Sequence, residues 1–471
     1  MMKTSKRYYL SILILALLLL TLSGCRKFLD VGSPLTETSS KEIFANDNSA
    51  TAAMLGVYGE FMKTAPLSIG ASMYLAQSAD EFRSYAVAPY SNYYTNNLNS
   101  IDNNDFWTAY YTSIYRCNAV LEGVRKSATL STAVSEQLSG EALFMRAFLH
   151  FYLVNLFGDV PYIATTDYQQ NNLAPRAPKE AVYQKIITDL AQARQLLTDG
   201  FPDASGKPSL ERVRPNRVAA EAMLARVYLY SGEWSKAEEL ATAVLSRSSV
   251  YQLLPDLNEV FKKNSKESIW QMMPSDAVNS NGFEGSNYIL TAPPGGLGKF
   301  TFALSDQLLN TFENGDKRKT SWTGSYLTFR YPFKYKVNTL SQPTTEYSMV
   351  IRLAEVYLIR AEARARQGKL SQSISDLDII RTRAAVPRIA DTNPSISEQN
   401  LLEVIWHERQ VELFSEWGHR WLDLKRTGTA DKVLGPIKGQ NWQTTDQLFP
   451  IPKIQIDYSP AFIGAQNPGY N

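Results

Sequence analysis

Along most of the chain apolar residues return every three or four positions, the spacing that gathers them on one face of a helix. The pattern predicts helices over residues 44–62, 106–125, 136–157, 179–197, 217–230, 234–245, 350–366, 371–383 and 400–414. The implied fold class is mainly all-α, built of paired helices. The stretch Glu141-Ala-Leu-Phe-Met-Arg146 is echoed by Glu221-Ala-Met-Leu-Ala-Arg226, and Ala225-Arg-Val-Tyr-Leu229 by Ala354-Glu-Val-Tyr-Leu358. A degenerate repeat of this kind marks stacked helical hairpins. In the middle copy Leu224, Ala225, Tyr228 and Ala237 stand at tetratricopeptide spacing, with Gly232 in the turn; Gly368 serves the third copy. Small alanines let the two helices of a hairpin approach, while Tyr and Leu fill the groove of the next.

Between the helices lie long stretches of turn and strand character, at 84–104, 202–214, 274–298 and 322–338. Loops of that length usually carry function. The first is rich in Tyr and Asn and poor in aliphatics; the last holds Trp322, Tyr326, Tyr331 and Tyr335. With 26 Tyr, 20 Phe and 8 Trp, the chain has more aromatic rings than core filling demands. The C–H face of a sugar packs on such rings while nearby polar groups pair with its hydroxyls. Tyr85, Tyr90, Tyr93, Tyr94, Trp322 and Tyr326 are therefore the candidate ligand-binding residues. The competing reading for any one ring is that it seals a hydrophobic seam.

The first residues change the picture of where the chain resides. Lys3, Lys6 and Arg7 precede an uncharged, mostly apolar run from residue 8 to 22, closed by Ser23, Gly24 and Cys25. The run is too short to span a bilayer as a helix and has the order of an export segment. Small residues directly before a cysteine look like a lipobox. Residues 1–24 are then the lipoprotein signal peptide, 25–42 a lipidated tether beginning at Cys25, and 43–471 a single body. Removing the first segment takes away three positive charges, so the body is close to neutral. Its only membrane attachment is the lipid, which must bury more than one acyl chain to hold. Cys117 remains as a lone thiol, best read as a small hydrophobe in a helix.

Charge and composition exclude much else. Lys and Arg number 48 against 46 Asp and Glu, without the basic excess that nucleic acid demands. Two cysteines allow no disulfide framework, and three histidines leave little for a zinc site. His150 and His407 read as structural. The run from Pro293 to Phe300 lacks the glycine and the Ser/Thr of a phosphate loop, and Asp102 to Asp105 lacks the glycine and distal Glu of an EF-hand loop. No nucleophile elbow and no dinucleotide fingerprint is present. No cofactor, no metal and no catalytic residue is expected. Near the C-terminus Glu408, Arg409, Glu412, Arg420 and Asp423 interleave with Trp and Leu. They are read as a structural charge network in which Glu408 and Glu412, one helical turn apart, face one guanidinium, for example that of Arg420.

Four places carry a resemblance: Cys25-Arg-Lys-Phe-Leu-Asp30, the repeat around Ala225-Arg-Val-Tyr-Leu229 with Gly232 and Trp234, the block from Glu408 to Arg426, and Phe449-Pro-Ile-Pro452 with Gln466-Asn-Pro-Gly-Tyr470. In these the chain resembles the SusD/RagB outer-membrane nutrient-binding lipoproteins of Bacteroidota. The resemblance implies tetratricopeptide-like hairpins packed against an irregular, loop-rich ligand-binding half. It also implies a non-catalytic surface lipoprotein that passes oligosaccharides, or in some members peptides, to a TonB-dependent barrel transporter. Two rival readings are a lipid-anchored glycoside hydrolase, because paired carboxylates leave no mark in sequence, and a pure scaffold whose tetratricopeptide groove takes peptide segments of partner proteins. One departure is Tyr458-Ser-Pro460, where the family has Asn before the proline.

Overall fold

The computed structural model describes residues 40–63, 69–103, 105–274, 281–295, 301–338 and 344–470. The expected export segment, Cys25 and most of the tether lie outside these residues, as do 296–300 of the glycine-rich run. The main helices are α1 (Asp47–Lys63), α2 (Ala71–Ser78), α3 (Asp105–Lys126), α4 (Thr132–Phe157), α5 (Lys179–Leu196), α6 (Arg217–Tyr230), α7 (Trp234–Leu245), α8 (Leu353–Ala365), α9 (Leu370–Ala384), α10 (Glu398–Leu413), α11 (His419–Arg426) and α12 (Ala430–Lys438). Among the described residues six short strands, β1 (Phe82–Ser84), β2 (Ser268–Met272), β3 (Phe302–Leu304), β4 (Thr323–Tyr326), β5 (Phe329–Pro332) and β6 (Ser348–Arg352), form three antiparallel pairs, β1 with β3, β2 with β6 and β4 with β5. Among the described residues no helix is long and apolar enough to cross a membrane.

The predicted helical array is present and mainly α-helical. Consecutive members pack in series: α3 on α4, α4 on α5, α5 on α6, α6 on α7, α7 on α8, and α8 on α9 and α10. The turns fall at Gly232 and Gly368, whose φ values of 78° and 73° lie where a side chain is strained. Side-chain caps fix several helix starts: Ser131 accepts from Val134 N, Asn216 from Ala219 N and Ser397 from Asn400 N. Helix α4 is the centre. From Leu138 to Phe157 nearly every residue is buried, as expected of a helix apolar on all sides. Its Phe144 and Phe148 meet Trp270 of β2 edge-on at 4.9 and 5.4 Å. Cys117 is fully buried in α3, and burial pushes its thiol up to about 12, so it packs as a hydrophobe.

Two differences from the expected elements have plain causes. Residues 350–352 end strand β6 rather than opening a helix, because a short apolar run reads alike in both states and pairing with β2 decides it. Helices α2, α11 and α12 are short, and their mixed sequences hide the period.

The C-terminal block locks this array to the irregular half. Glu408 and Glu412 do share one guanidinium, but it is that of Arg318, at 2.6 and 3.0 Å. Arg420 instead forms a two-pronged pair with Asp80 at 2.8 Å, because α11 leaves the Gly418 turn on the side of α2. Arg352 donates to Glu267, Glu412 and Glu416 at 3.0, 2.6 and 2.7 Å. Burial acts to raise the Glu412 carboxyl, but Arg383, Arg352 and Arg318 outweigh it and hold the group well below the usual carboxylate range. Arg409 pairs with Asp423, which also receives Arg426, and Arg426 reaches Glu362. Each of these carboxylates is nearly or wholly buried. Such pairs gain little net stability over apolar packing, but losing one partner strands a buried charge at a cost of about 3–5 kcal/mol.

Candidate functional site

The two loops singled out from sequence meet in space. Strand β1 pairs with β3 in the register Phe82 to Leu304 and Ser84 to Phe302, and β3 lies beside β5. Tyr85 follows β1 directly, its N–H donating to Thr301 O at 2.7 Å. Its ring meets Phe329 of β5 edge-on, with centroids 5.5 Å apart. Phe329 stands opposite Tyr326 in the β4 and β5 hairpin. Rings from two distant parts of the sequence thus form one ledge.

The hairpin is shaped to present that ledge. Gly324 carries no side chain because Tyr331 lies across it: a Cβ there would meet the ring at 2.3 Å. The tip residue Leu327 has φ 53° and is 75% exposed. A branched side chain in the left-handed region costs free energy and persists where the surroundings fix it. Val87, two residues after Tyr85, is exposed as well. The Arg83 guanidinium sits 5.4 Å from the Tyr85 ring centre, which adds a cation and five donors to the rim. The hairpin's far end is tied by Lys336, which donates to the Ser321 and Phe333 carbonyls; burial pulls its ammonium down to about 8. Rings with donors at the rim can take the apolar face of a sugar and pair with its hydroxyls.

Of the six rings predicted from sequence, Tyr85 and Tyr326 are brought together. Tyr90 is exposed and caps a stack: it lies parallel to Tyr74 at 6.5 Å, and Tyr74 parallel to Tyr93 at 4.5 Å. Tyr94 faces Lys438 instead, whose Nζ is 4.3 Å from the ring centre and donates to the Tyr94 and Gln77 carbonyls. Tyr93 and Trp322 are corrections, since both rings are buried. Tyr93 packs edge-on against Phe106 and Phe449. Trp322 is wholly enclosed, its indole N–H donating to Leu257 O at 2.9 Å and its ring set among Phe261, Phe414, Lys334 and Arg352. The asparagines of the first loop also serve the fold: Asn92 donates to Asn103, Asn96 to Ser78 O and Asn99 to Asp102.

Sequence reading missed Phe329, the ring that joins the loops. The hairpin turn Leu327-Thr328 contains neither Gly nor Asn, so it gave no turn signal. The alternation of Tyr326, Phe329 and Tyr331 around it was the clue available.

Residues 27–229 match a protein family described as "Starch-binding associating with outer membrane", and residues 305–470 match the SusD family. The chain is 26% identical to SusD-like protein P2 of Formosa agariphila, over 99% of this chain and all of that one. It is 23% identical to the starch-binding protein SusD of Bacteroides thetaiotaomicron, over 70% of this chain and 72% of that one. The solved structure of a laminarin binding SusD-like protein superposes with a TM-score of 0.75 at 24% identity, covering 90% of this chain and all of that one. With the two family matches together spanning more than three quarters of the sequence, the chain belongs to the SusD/RagB family.

Proposed function

We propose that this protein is a non-catalytic cell-surface lipoprotein that binds a glycan on the ledge of Tyr85, Tyr326 and Phe329 and delivers it to a TonB-dependent barrel transporter in the outer membrane. The observation that carries the reading is the convergence of partly exposed rings from two separate loops, with the Arg83 donors beside them. Relatives whose names state starch binding and laminarin binding support the ligand class. Cys25, behind its apolar run, supplies the lipid anchor, and the helical array supplies a rigid scaffold to face the transporter. The absence of catalysis is supported by the state of the C-terminal carboxylates. Glu408, Glu412 and Asp423 are each held by guanidinium groups and buried from solvent, so they are not placed to exchange protons with a substrate.

The test is calorimetry of the full chain against oligosaccharides cut from laminarin and starch, a wider polysaccharide panel and peptides, with product analysis of each mixture. Saturable binding of a glycan without new reducing ends is expected. Release of products would move the protein to the hydrolases, and binding of peptides alone would replace the ligand class.

A further inference from the structure

A second aromatic pocket lies away from the ledge and shares no residue with it. It is a cleft of about 390 Å³ on the outer face of α3, closed by the segment after α4 and by the C-terminal region. That volume is at the small end of ligand sites and suits one or two sugar rings better than a long chain. Trp107, Tyr111 and Tyr115 recur every four residues, so they lie along one face of α3. Trp107 forms the floor: it is buried, tilted against Tyr111 at 4.8 Å, and edge-on to Phe157 and Phe462 at 5.0 and 5.8 Å. The Tyr111 hydroxyl donates to Pro161 O at 2.8 Å, which fixes that ring. The walls are different. Tyr115 is 53% exposed and Tyr168 is 75% exposed. Neither ring takes part in an aromatic pair among the described residues.

The polar groups divide in the same way. Asn171 donates to Thr165 O, and the Thr166 hydroxyl to Glu122, so these hold the loop. The side-chain amides of Asn172 and Gln455, both lining the cleft, have no hydrogen-bond partner among the described residues. Two rings open to solvent, a rigid aromatic floor and two unengaged amides, each both donor and acceptor, are what a hydroxyl-rich ring with an apolar face requires. An apolar ligand would leave the amides unused.

We propose that this cleft is a second carbohydrate site, holding a single pyranose unit between Tyr115 and Tyr168 over Trp107, with Asn172 and Gln455 pairing its hydroxyls. The inference rests on the reading of the protein as a glycan binder but not on the ledge. A glycan touching both places would be held by two weak contacts, whose combined affinity exceeds either alone if its length spans them.

Saturation-transfer NMR of the full chain with methyl glycosides of glucose, galactose, mannose, xylose and fucose tests the site. At least one glycoside should receive saturation. Tyr115→Ala with Tyr168→Ala should weaken that contact about tenfold, the equivalent of about 1.4 kcal/mol. Both tyrosines are exposed, so the fold is retained. Tyr85→Ala with Phe329→Ala should leave the cleft signal in place. Transfer to none of the five, or transfer undiminished in the Tyr115 and Tyr168 variant, overturns the second site. If the cleft behaves as stated while the ledge variant still binds oligosaccharide normally, the ledge assignment fails and the cleft stands.

Discussion

Trp322 stands directly before β4 and Tyr326 ends it four residues later, yet the structure gives them opposite surroundings. At the base of the hairpin Trp322 is enclosed, its N–H satisfied by Leu257 O, in the neighbourhood of the Arg352 network. At the tip Tyr326 is only partly covered and faces Phe329 and the exposed Leu327. An aromatic loop therefore has no single role. A ring whose polar atom is already spent inside the protein anchors the loop, and a ring left at the surface of a strained tip is available to a ligand.

The contrast can be broken from the base first. Arg352→Met leaves Glu267, Glu412 and Glu416 short of a buried partner and should cost about 3–5 kcal/mol of unfolding free energy, read from urea midpoints. Trp322→Ala empties a closed site and should cost a similar amount, about 3–5 kcal/mol; retention of wild-type stability would mean the ring is not part of the core. At the tip the order of effects reverses. Tyr85→Ala should change stability by less than about 0.5 kcal/mol while weakening glycan binding about tenfold. A loss of stability without a change in affinity would make Tyr85 an anchor like Trp322.

A smaller effect sharpens the same boundary. Glu81 is buried directly before β1, where burial and then Asp80 push its carboxyl up to about 8 from 4.5. The folded protein keeps that proton over a range in which the unfolded chain has released it. Its contribution to stability is full below about pH 4.5 and is lost as pH rises toward 8. Glu81→Gln should flatten the decline of the urea midpoint between about pH 5 and 8. An unchanged slope would place that titration elsewhere.

Much of the fold was legible because its cause is local. The period of α4, the turns at Gly232 and Gly368, and the pairing need of Glu408 and Glu412 are all written within a few residues. The identity of the cation that meets them is not, since Arg318 arrives from 90 residues earlier and Arg420 is drawn to Asp80. The ledge was half legible. Loop composition pointed to Tyr85 and Tyr326, but the ring that joins them, Phe329, depends on the pairing of β1 with β3 and the approach of β5. The cleft on α3 was hidden for a different reason: Trp107, Tyr111 and Tyr115 share the spacing of a buried stripe, and only their exposure tells floor from wall.

The central claim is that the Tyr85, Tyr326 and Phe329 ledge holds a glycan. It is tested most directly by titrating one oligosaccharide that the wild-type chain binds into the Tyr85→Ala and Phe329→Ala double variant, with reducing ends assayed in the same samples. The account predicts at least a tenfold loss of affinity, a retained thermal transition and no product in either protein. Equal affinity in the two proteins, or the appearance of cleaved sugar, would contradict it.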